Sequence, residues 1–409
     1  MRNTQVRISK IIRLVLVAIK KTLPHERYLF PVLSRIIQLL DFLHPKDNQL
    51  IIFGSNNGKY ITGSPGALFK YIKNNNVGFR GKYFQISPKE KDHFNAFSFK
   101  GILTFLRART MVSSHGLNDF SFLRASRRKL HICTWHGIMF KSSGYLCKMS
   151  DRERKNLDEY ISSIDLVLSS SYFDASTVNL AYNHGAKRMK LVGHPRNDHL
   201  VNCTLTGKSR LKEIIPWLQG DENIVLYAPT FRDKAMGPER MKLRIFPFTD
   251  FLFQTLSKYL ETNNIVLLVR WHLNDVVSDR IHSSNRIINF NFDVCPDINY
   301  VLSDIDALVT DYSSIMWDYL LLNRPILFVP YDLEEFSRTR GFIIDDFTLW
   351  TPGPSVSSLK DLIHQLRAML DPRNDEYSRK RLFLQKIVHS HQTENSSLRI
   401  LNIIRNQFN

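Results

Sequence analysis

A set of short motifs holds the residues of this chain that could handle an anionic, phosphorylated molecule. Thr310-Asp311-Tyr312-Ser313-Ser314 follows an apolar run and opens a helical pattern. Hydroxyls and free backbone N–H groups at a helix start make a phosphate cradle. The plainer role of Ser313 or Ser314 is to cap the helix, and both roles can coexist. Thr134-Trp135-His136-Gly137 ends another apolar run, and Lys141 follows. An imidazole on a strand-end loop can act as a general base near neutral pH, and Gly137 permits close backbone approach. A structural histidine is the alternative. Arg270-Trp271-His272 sets a cation and an imidazole at one strand end, to neutralise charge on a phosphoryl group or simply to meet solvent. Arg232, within Tyr227–Asp233, has a planar fork suited to phosphate oxygens, or else pairs with Asp233. In Gly193-His194-Pro195-Arg196-Asn197-Asp198 the proline stiffens a turn from which Arg196 and Asp198 could bond across a cleft; otherwise it only links two segments.

Short apolar runs alternating with helical patterns must position these motifs. Strands are expected at Leu50–Phe53, Lys82–Ile86, Thr110–Ser113, His131–Thr134, Leu166–Ser169 and Lys190–Gly193. A second series comprises Ile224–Tyr227, Ile265–Val269, Ala307–Thr310 and Ile326–Val329. Runs such as IVLLV are apolar throughout, as parallel strands buried on both faces require. The alternation predicts an α/β fold with two Rossmann-like domains. The expected division is 1–45, basic amphipathic helices; 46–203, an N-terminal Rossmann-like domain; 204–376, a C-terminal one; and 377–409, helices crossing back to the first. Ligands in such sheets sit beyond the strand C-termini, so a cleft between the domains is the expected site, and each motif falls just after a strand.

The balance of 56 Lys+Arg against 38 Asp+Glu, a net +18, implies an anionic partner. No zinc finger, RNA-binding aromatic motif or long basic run occurs, which disfavours nucleic acid. From Met1 to Leu23 the chain carries Arg2, Arg7, Lys10, Arg13, Lys20 and Lys21, no acid, and the apolar run Ile11–Ile19. That run is too short to span a bilayer and lacks a cleavage site, so it reads as a helix on an anionic membrane face or as an ordinary packed surface helix. Tyr28–Leu43 is amphipathic as well. Cys133, Cys147, Cys203 and Cys295 form no metal-ligand spacing and read as thiols of a reducing compartment; no metal site is expected. The chain has no GxxxxGKS/T phosphate loop and no GxSxG elbow.

In order, WHG with a following Lys, GHPRND, YAPTFRD, RWH, TDYSS with Asp318, RPILF with Tyr331-Asp332, Arg340-Gly341-Phe342 and Pro352-Gly353-Pro354 resemble the CDP-glycerol glycerophosphotransferase family of teichoic acid primases and polymerases. The segment Ile51–Tyr71 also resembles the family's first strand and loop, so the likeness runs from Ile51 to Pro354. His194 stands where many members have Tyr, Phe231 where many have Trp, and Leu273 where Pro is frequent.

The resemblance implies a GT-B fold and transfer of polyol phosphate, most simply glycerol phosphate, from CDP-glycerol or CDP-ribitol to a hydroxyl of a lipid-linked teichoic or capsular glycan. The hydroxyl attacks phosphorus, a phosphodiester forms and CMP leaves, with no obligatory cofactor. It implies His136 as base on the acceptor side and His272 beside the donor pyrophosphate. Arg232, Thr310, Asp311, Ser313 and Ser314 would line the CDP site, supported by Gly137, Arg196, Asp198, Arg270 and Asp318. The expected location is the cytoplasmic face of a bacterial plasma membrane, as a peripheral protein. Two other readings share the motifs: a GT-B glycosyltransferase using a nucleotide sugar, and a non-catalytic membrane- or glycan-binding protein.

Overall fold

The computed structural model describes residues 29–203, 208–230, 246–271 and 285–408. Arg232, His272 and the basic segment Met1–Leu23 lie outside the described residues.

Two parallel sheets organise the chain. The first contains β1 (Asp47–Gly54), β2 (Arg80–Phe84), β3 (His93–Phe94), β4 (Ala108–Ser113), β5 (Leu130–Cys133), β6 (Leu166–Ser169) and β7 (Met189–Leu191), in the order β3-β2-β1-β4-β5-β6-β7. The second contains β8 (Asn223–Ala228), β9 (Ile265–Val269), β10 (Ile287–Asn289), β11 (Ala307–Thr310) and β12 (Ile326–Phe328), in the order β10-β9-β8-β11-β12. Every strand pair is parallel. The chain reverses its direction of travel across the sheet between β1 and β4, and again between β8 and β11. At such reversals the loops beyond the strand C-termini part and leave room for a ligand.

The continuous apolar runs follow from burial on both faces. In β8, Ile224, Leu226 and Ala228 pack into one core while Val225 and Tyr227 pack into the core on the other face. In β1, Leu50 and Ile52 face one core and Ile51 and Phe53 the other. This is the period-two alternation of a strand, with both sides apolar. The edge strands β3 and β10 do not appear in the sequence reading. Each pairs with one neighbour over two or three residues, too short to leave an apolar run.

Two helices, Ser378–Val388 and Ser396–Asn406, end the described chain and touch both sheets. Leu384 and Val388 enter the core beneath the second sheet, whereas Ile400, Leu401 and Ile404 pack against Ile51, Phe53 and Leu68 beside the first. Asp198 anchors the latter helix. It accepts from Ser396 N at 3.2 Å and Ser397 N at 3.0 Å, satisfying N–H groups at the helix start. The idea that Asp198 bonds across a cleft is therefore corrected: both its carboxylate oxygens are engaged by the C-terminal segment.

The helix Leu29–Leu43 packs Leu33, Ile37 and Leu40 against the first sheet and leaves Val32, Leu39 and Leu43 exposed. No helix among the described residues is long and apolar enough to cross a membrane.

Candidate active site

A cavity of about 860 Å³ lies between the C-terminal ends of the two sheets. Its lining comes from the loop after β5, the loops after β8 and β11, and the stretch Phe336–Gly341. Lys141, Lys148, Arg338 and Arg340 line it, and among the described residues no carboxylate does. Such a wall favours an anion.

The loop after β5 carries the imidazole. From His131 to Phe140 every residue is buried except His136. The flanking residues explain how the loop is held. Ile138 and Phe140 are sunk in the core of the second half of the chain, Phe140 packing on Trp317 with ring centroids 5.5 Å apart. Lys141 bridges Phe342, and Ser142 N donates to Gly341 O at 3.0 Å. The backbone at Trp135 has φ 58, the left-handed region that bulky side chains avoid. Strain of this kind persists only where surrounding packing imposes it, and it concentrates at functional sites. Trp135 is itself buried, stacked on His136 at 4.9 Å and edge-on to Tyr182 at 4.6 Å.

The His136 ring is open to the cavity yet deep within the protein. Burial first, and then the neighbouring His115, Arg196 and Lys141, push its pKa well below the usual 6.5; Asp119 opposes this. The ring is therefore neutral at pH 7 and can accept a proton.

Across the cavity stands the turn after β11. Gly137 meets it directly: a Cβ at that position would fall 2.9 Å from Ser314 Oγ, so any other residue displaces that hydroxyl. Ser313 and Ser314 line the cavity. The helix they precede, Ile315–Tyr319, has no side-chain cap bond from Ser314, so capping does not occupy that hydroxyl. Asp311 is buried behind the turn and accepts from Thr230 N at 2.8 Å, tying the loop after β8 to the loop after β11. Thr310, expected to line the donor site, does not reach the cavity. It is fully buried and its hydroxyl donates to Ala228 O at 2.8 Å, bracing β11 on β8.

Arg196 and Asp318 join the two halves behind the cavity. Arg196 Nε and Nη2 donate to the two Asp318 oxygens, both at 3.0 Å. Asn197 Nδ2 donates to Asp318 at 2.6 Å and Asn299 Nδ2 at 3.2 Å. Burial alone would raise the Asp318 carboxyl, but the guanidinium and amide donors bring it down to about 2. Arg270 holds backbone carbonyls rather than facing the cavity. Its guanidinium is buried against Phe292 at 4.1 Å and donates to the carbonyls of Phe290, Cys295 and Pro296. It shapes the loop 290–296, and those carbonyls take the donors a phosphoryl group would need.

His115 went unread in the sequence. Its ring lies parallel to that of His136, with centroids 4.4 Å apart and planes 12° apart. The signal was present: His115-Gly116 follows β4 just as His136-Gly137 follows β5.

Parallel sheets with a cationic cavity beyond their strand C-termini, lined by an uncharged imidazole and by hydroxyls, define a phosphoryl- or glycosyl-transferase type of α/β protein. Residues 36–406 match the model of the CDP-Glycerol:Poly(glycerophosphate) glycerophosphotransferase family, and the chain belongs to that family of transferase enzymes. It is 30% identical over 390 residues, 90% of this chain and 94% of the relative, to a teichoic acid glycerol-phosphate transferase of Staphylococcus aureus. It is 32% identical over 319 residues, 75% of this chain and 76% of the relative, to a teichoic acid glycerol-phosphate primase of Bacillus subtilis. The wall teichoic acid polymerase TagF shares its fold, with a TM-score of 0.77 and 24% identity over 91% of this chain and 93% of that one.

Proposed function

We propose that the chain transfers glycerol phosphate from CDP-glycerol to a hydroxyl of a teichoic acid acceptor, releasing CMP, with His136 as the base. The observation that carries this reading is one exposed, uncharged imidazole in a wholly buried loop, facing the Ser313-Ser314 turn across a cavity lined with cations. Family membership and two glycerol-phosphate relatives of similar length support the chemistry.

The two halves form a GT-B arrangement, and the cavity is its interdomain cleft. The acceptor hydroxyl gives its proton to His136 as its oxygen bonds to the glycerol-bearing phosphorus. The bond from that phosphorus to the bridging oxygen of the pyrophosphate breaks, and CMP leaves with both electrons. Such transfer needs alignment and charge neutralisation more than covalent catalysis. Ser313 and Ser314 bind the pyrophosphate, with Asp311 holding their turn, and Lys141 and Arg340 face its charge. Arg232 and His272 belong on the donor side in this scheme. The acceptor is lipid-linked and the protein sits on the cytoplasmic face of the membrane. Support comes from the exposed Val32, Leu39 and Leu43, beside which Arg127 and Arg128 lie over the Phe42 ring at 5.4 and 6.0 Å.

Purified protein incubated with CDP-glycerol and a lipid-linked teichoic acceptor releases CMP and lengthens the acceptor by glycerol phosphate. A thermal-shift panel of CDP, UDP and GDP gives its largest shift with CDP. Preference for UDP, or no CMP from any CDP-polyol, overturns the proposal.

A further inference from the structure

His115 lies just beyond β4, at the reversal point of the first sheet, and is fixed from behind by Asp119. The His115 backbone N–H donates to Asp119 Oδ2 at 2.7 Å. Nδ1 lies 2.8 Å from Ser114 Oγ, whose hydroxyl donates to Asp119 Oδ2 at 3.1 Å. That order of donors assigns the Nδ1–H tautomer to His115. Asp119 is fully buried and also accepts from Ser114 N at 2.8 Å and Asn57 N at 3.0 Å. Burial raises this carboxyl, yet the His115 side chain and the backbone donors hold it below its ordinary value, so it is charged. Glycines make the room: a Cβ on Gly54 would fall 2.9 Å from Asp119 Cβ, and Gly116 turns at φ +64 against the Tyr160 ring.

We propose that His115, held by Asp119, is a positioning residue for His136, fixing its ring plane by parallel stacking and presenting a buried carboxylate to the imidazolium formed when His136 takes the acceptor proton. This rests on the reading of His136 as the base. Among the described residues, His115, Arg196 and Lys141 lower the His136 pKa, and the Asp119 carboxylate raises it. Arg196 is already paired with Asp318, so its charge is balanced elsewhere. Asp119 lies behind His115, whose Nδ1 is 3.6 Å from Oδ1. A purely structural role would need the Asp119 bonds alone; it would not need an aromatic face laid flat on the one exposed ring of a buried loop. Unclamped, that ring can turn about its side-chain torsions, and a misplacement of about 1 Å costs up to about 100-fold in rate.

The test uses the intact chain with CDP-glycerol and acceptor. His115→Ala removes the clamp and is expected to lower kcat on the order of 10- to 100-fold while leaving the KM for CDP-glycerol unchanged. His115→Phe keeps a flat ring and removes the imidazole that lowers the His136 pKa. Its kcat stays within a few-fold of wild type, and the acidic limb of kcat/KM moves up in pH. Histidine ring 15N spectra report the same upward move of the His136 titration without reference to turnover. Wild-type kcat and an unmoved limb in both variants overturn the proposal, as does a change confined to the KM for CDP-glycerol. If His136→Ala abolishes transfer while the His115 variants behave as wild type, the positioning role alone fails. If His136→Ala keeps transfer, it is the assignment of the base that fails.

Discussion

Replacing Asp318 with Asn should destabilise the protein, because it strips the counter-ion from a buried guanidinium. Arg196 and Asp318 are 4% and 5% exposed, and Arg196 Nη1 has no acceptor among the described residues even in the wild type. Removing one partner of a buried ion pair costs about 3–5 kcal/mol. The carboxyl offers a second measure. Held at about 2 against an ordinary 3.8, it contributes on the order of 2 kcal/mol at neutral pH. The asparagine amide can keep some of the donors from Asn197 and Asn299 but cannot balance Arg196, so the larger figure applies to the substitution. With an unfolding entropy of about 2.1 cal/mol/K per residue, a chain of this length loses roughly 3–6 °C in Tm if it melts as one unit. Calorimetry at pH 7 reads this directly. A depressed carboxylate stabilises above its unfolded pKa and ceases to do so as pH falls through the folded value. The gap between wild type and Asp318→Asn should therefore be full above pH 4 and narrow by about 2 kcal/mol between about 4 and 2. An Arg196→Met/Asp318→Leu double variant should recover most of the loss, since apolar replacement of a buried pair is often neutral or better. A Tm within about 1 °C of wild type in the single variant would refute the claim that this pair locks the two halves.

Gly137→Ala should lower kcat, because its Cβ would fall 2.9 Å from Ser314 Oγ and displace a hydroxyl that binds the pyrophosphate. In wild type, kcat/KM should stay level as pH falls to 6.5 and decline only below it, since the base is pushed well under that value; a decline beginning above 6.5 contradicts the environment assigned to His136. His131 and His389 are fully buried with pKa values near 4, His389 bonding to Trp317 O at 2.7 Å. The unfolded chain takes up these protons first as pH falls below 6.5, so Tm should drop between pH 6.5 and 4, and His389→Asn should flatten that slope. Asp198→Ala should cost about 1–2 kcal/mol and speed proteolysis near Ser396, because the terminal helix loses its cap.

Most of this architecture was legible where strands are apolar on both faces. Leu166–Ser169, Ile265–Val269 and Ala307–Thr310 fall where the runs put them. The motifs at strand ends were legible for a related reason: glycines, serines and histidines break apolar runs, and loops beyond strands are where ligands sit. Chemistry read from residue type alone was less secure. Arg270 has the side chain of a phosphate ligand, but four nearby carbonyls claim it. Thr310 and Asp311 adjoin the serines in sequence, yet strand geometry sends them into the protein, where they brace Ala228 and Thr230. Arg196 pairs with a residue 122 positions away, and no local pattern reveals such a partner. His115 lies in no recognisable motif, although its His-Gly step repeats that of His136. The resemblance to the glycerophosphotransferases came from the order of many weak motifs, and the family match over residues 36–406 agrees with it.

The central claim is that His136 is the base for glycerol-phosphate transfer. The most direct measurement pairs single-turnover CMP release from CDP-glycerol, in the presence of acceptor, with calorimetric CDP affinity, for wild type and His136→Ala. A general base contributes about 10²–10⁴-fold, so the variant should lose that factor in rate while binding CDP with nearly unchanged affinity. Rapid CMP release by His136→Ala, or loss of CDP binding in proportion to the loss of rate, would contradict it.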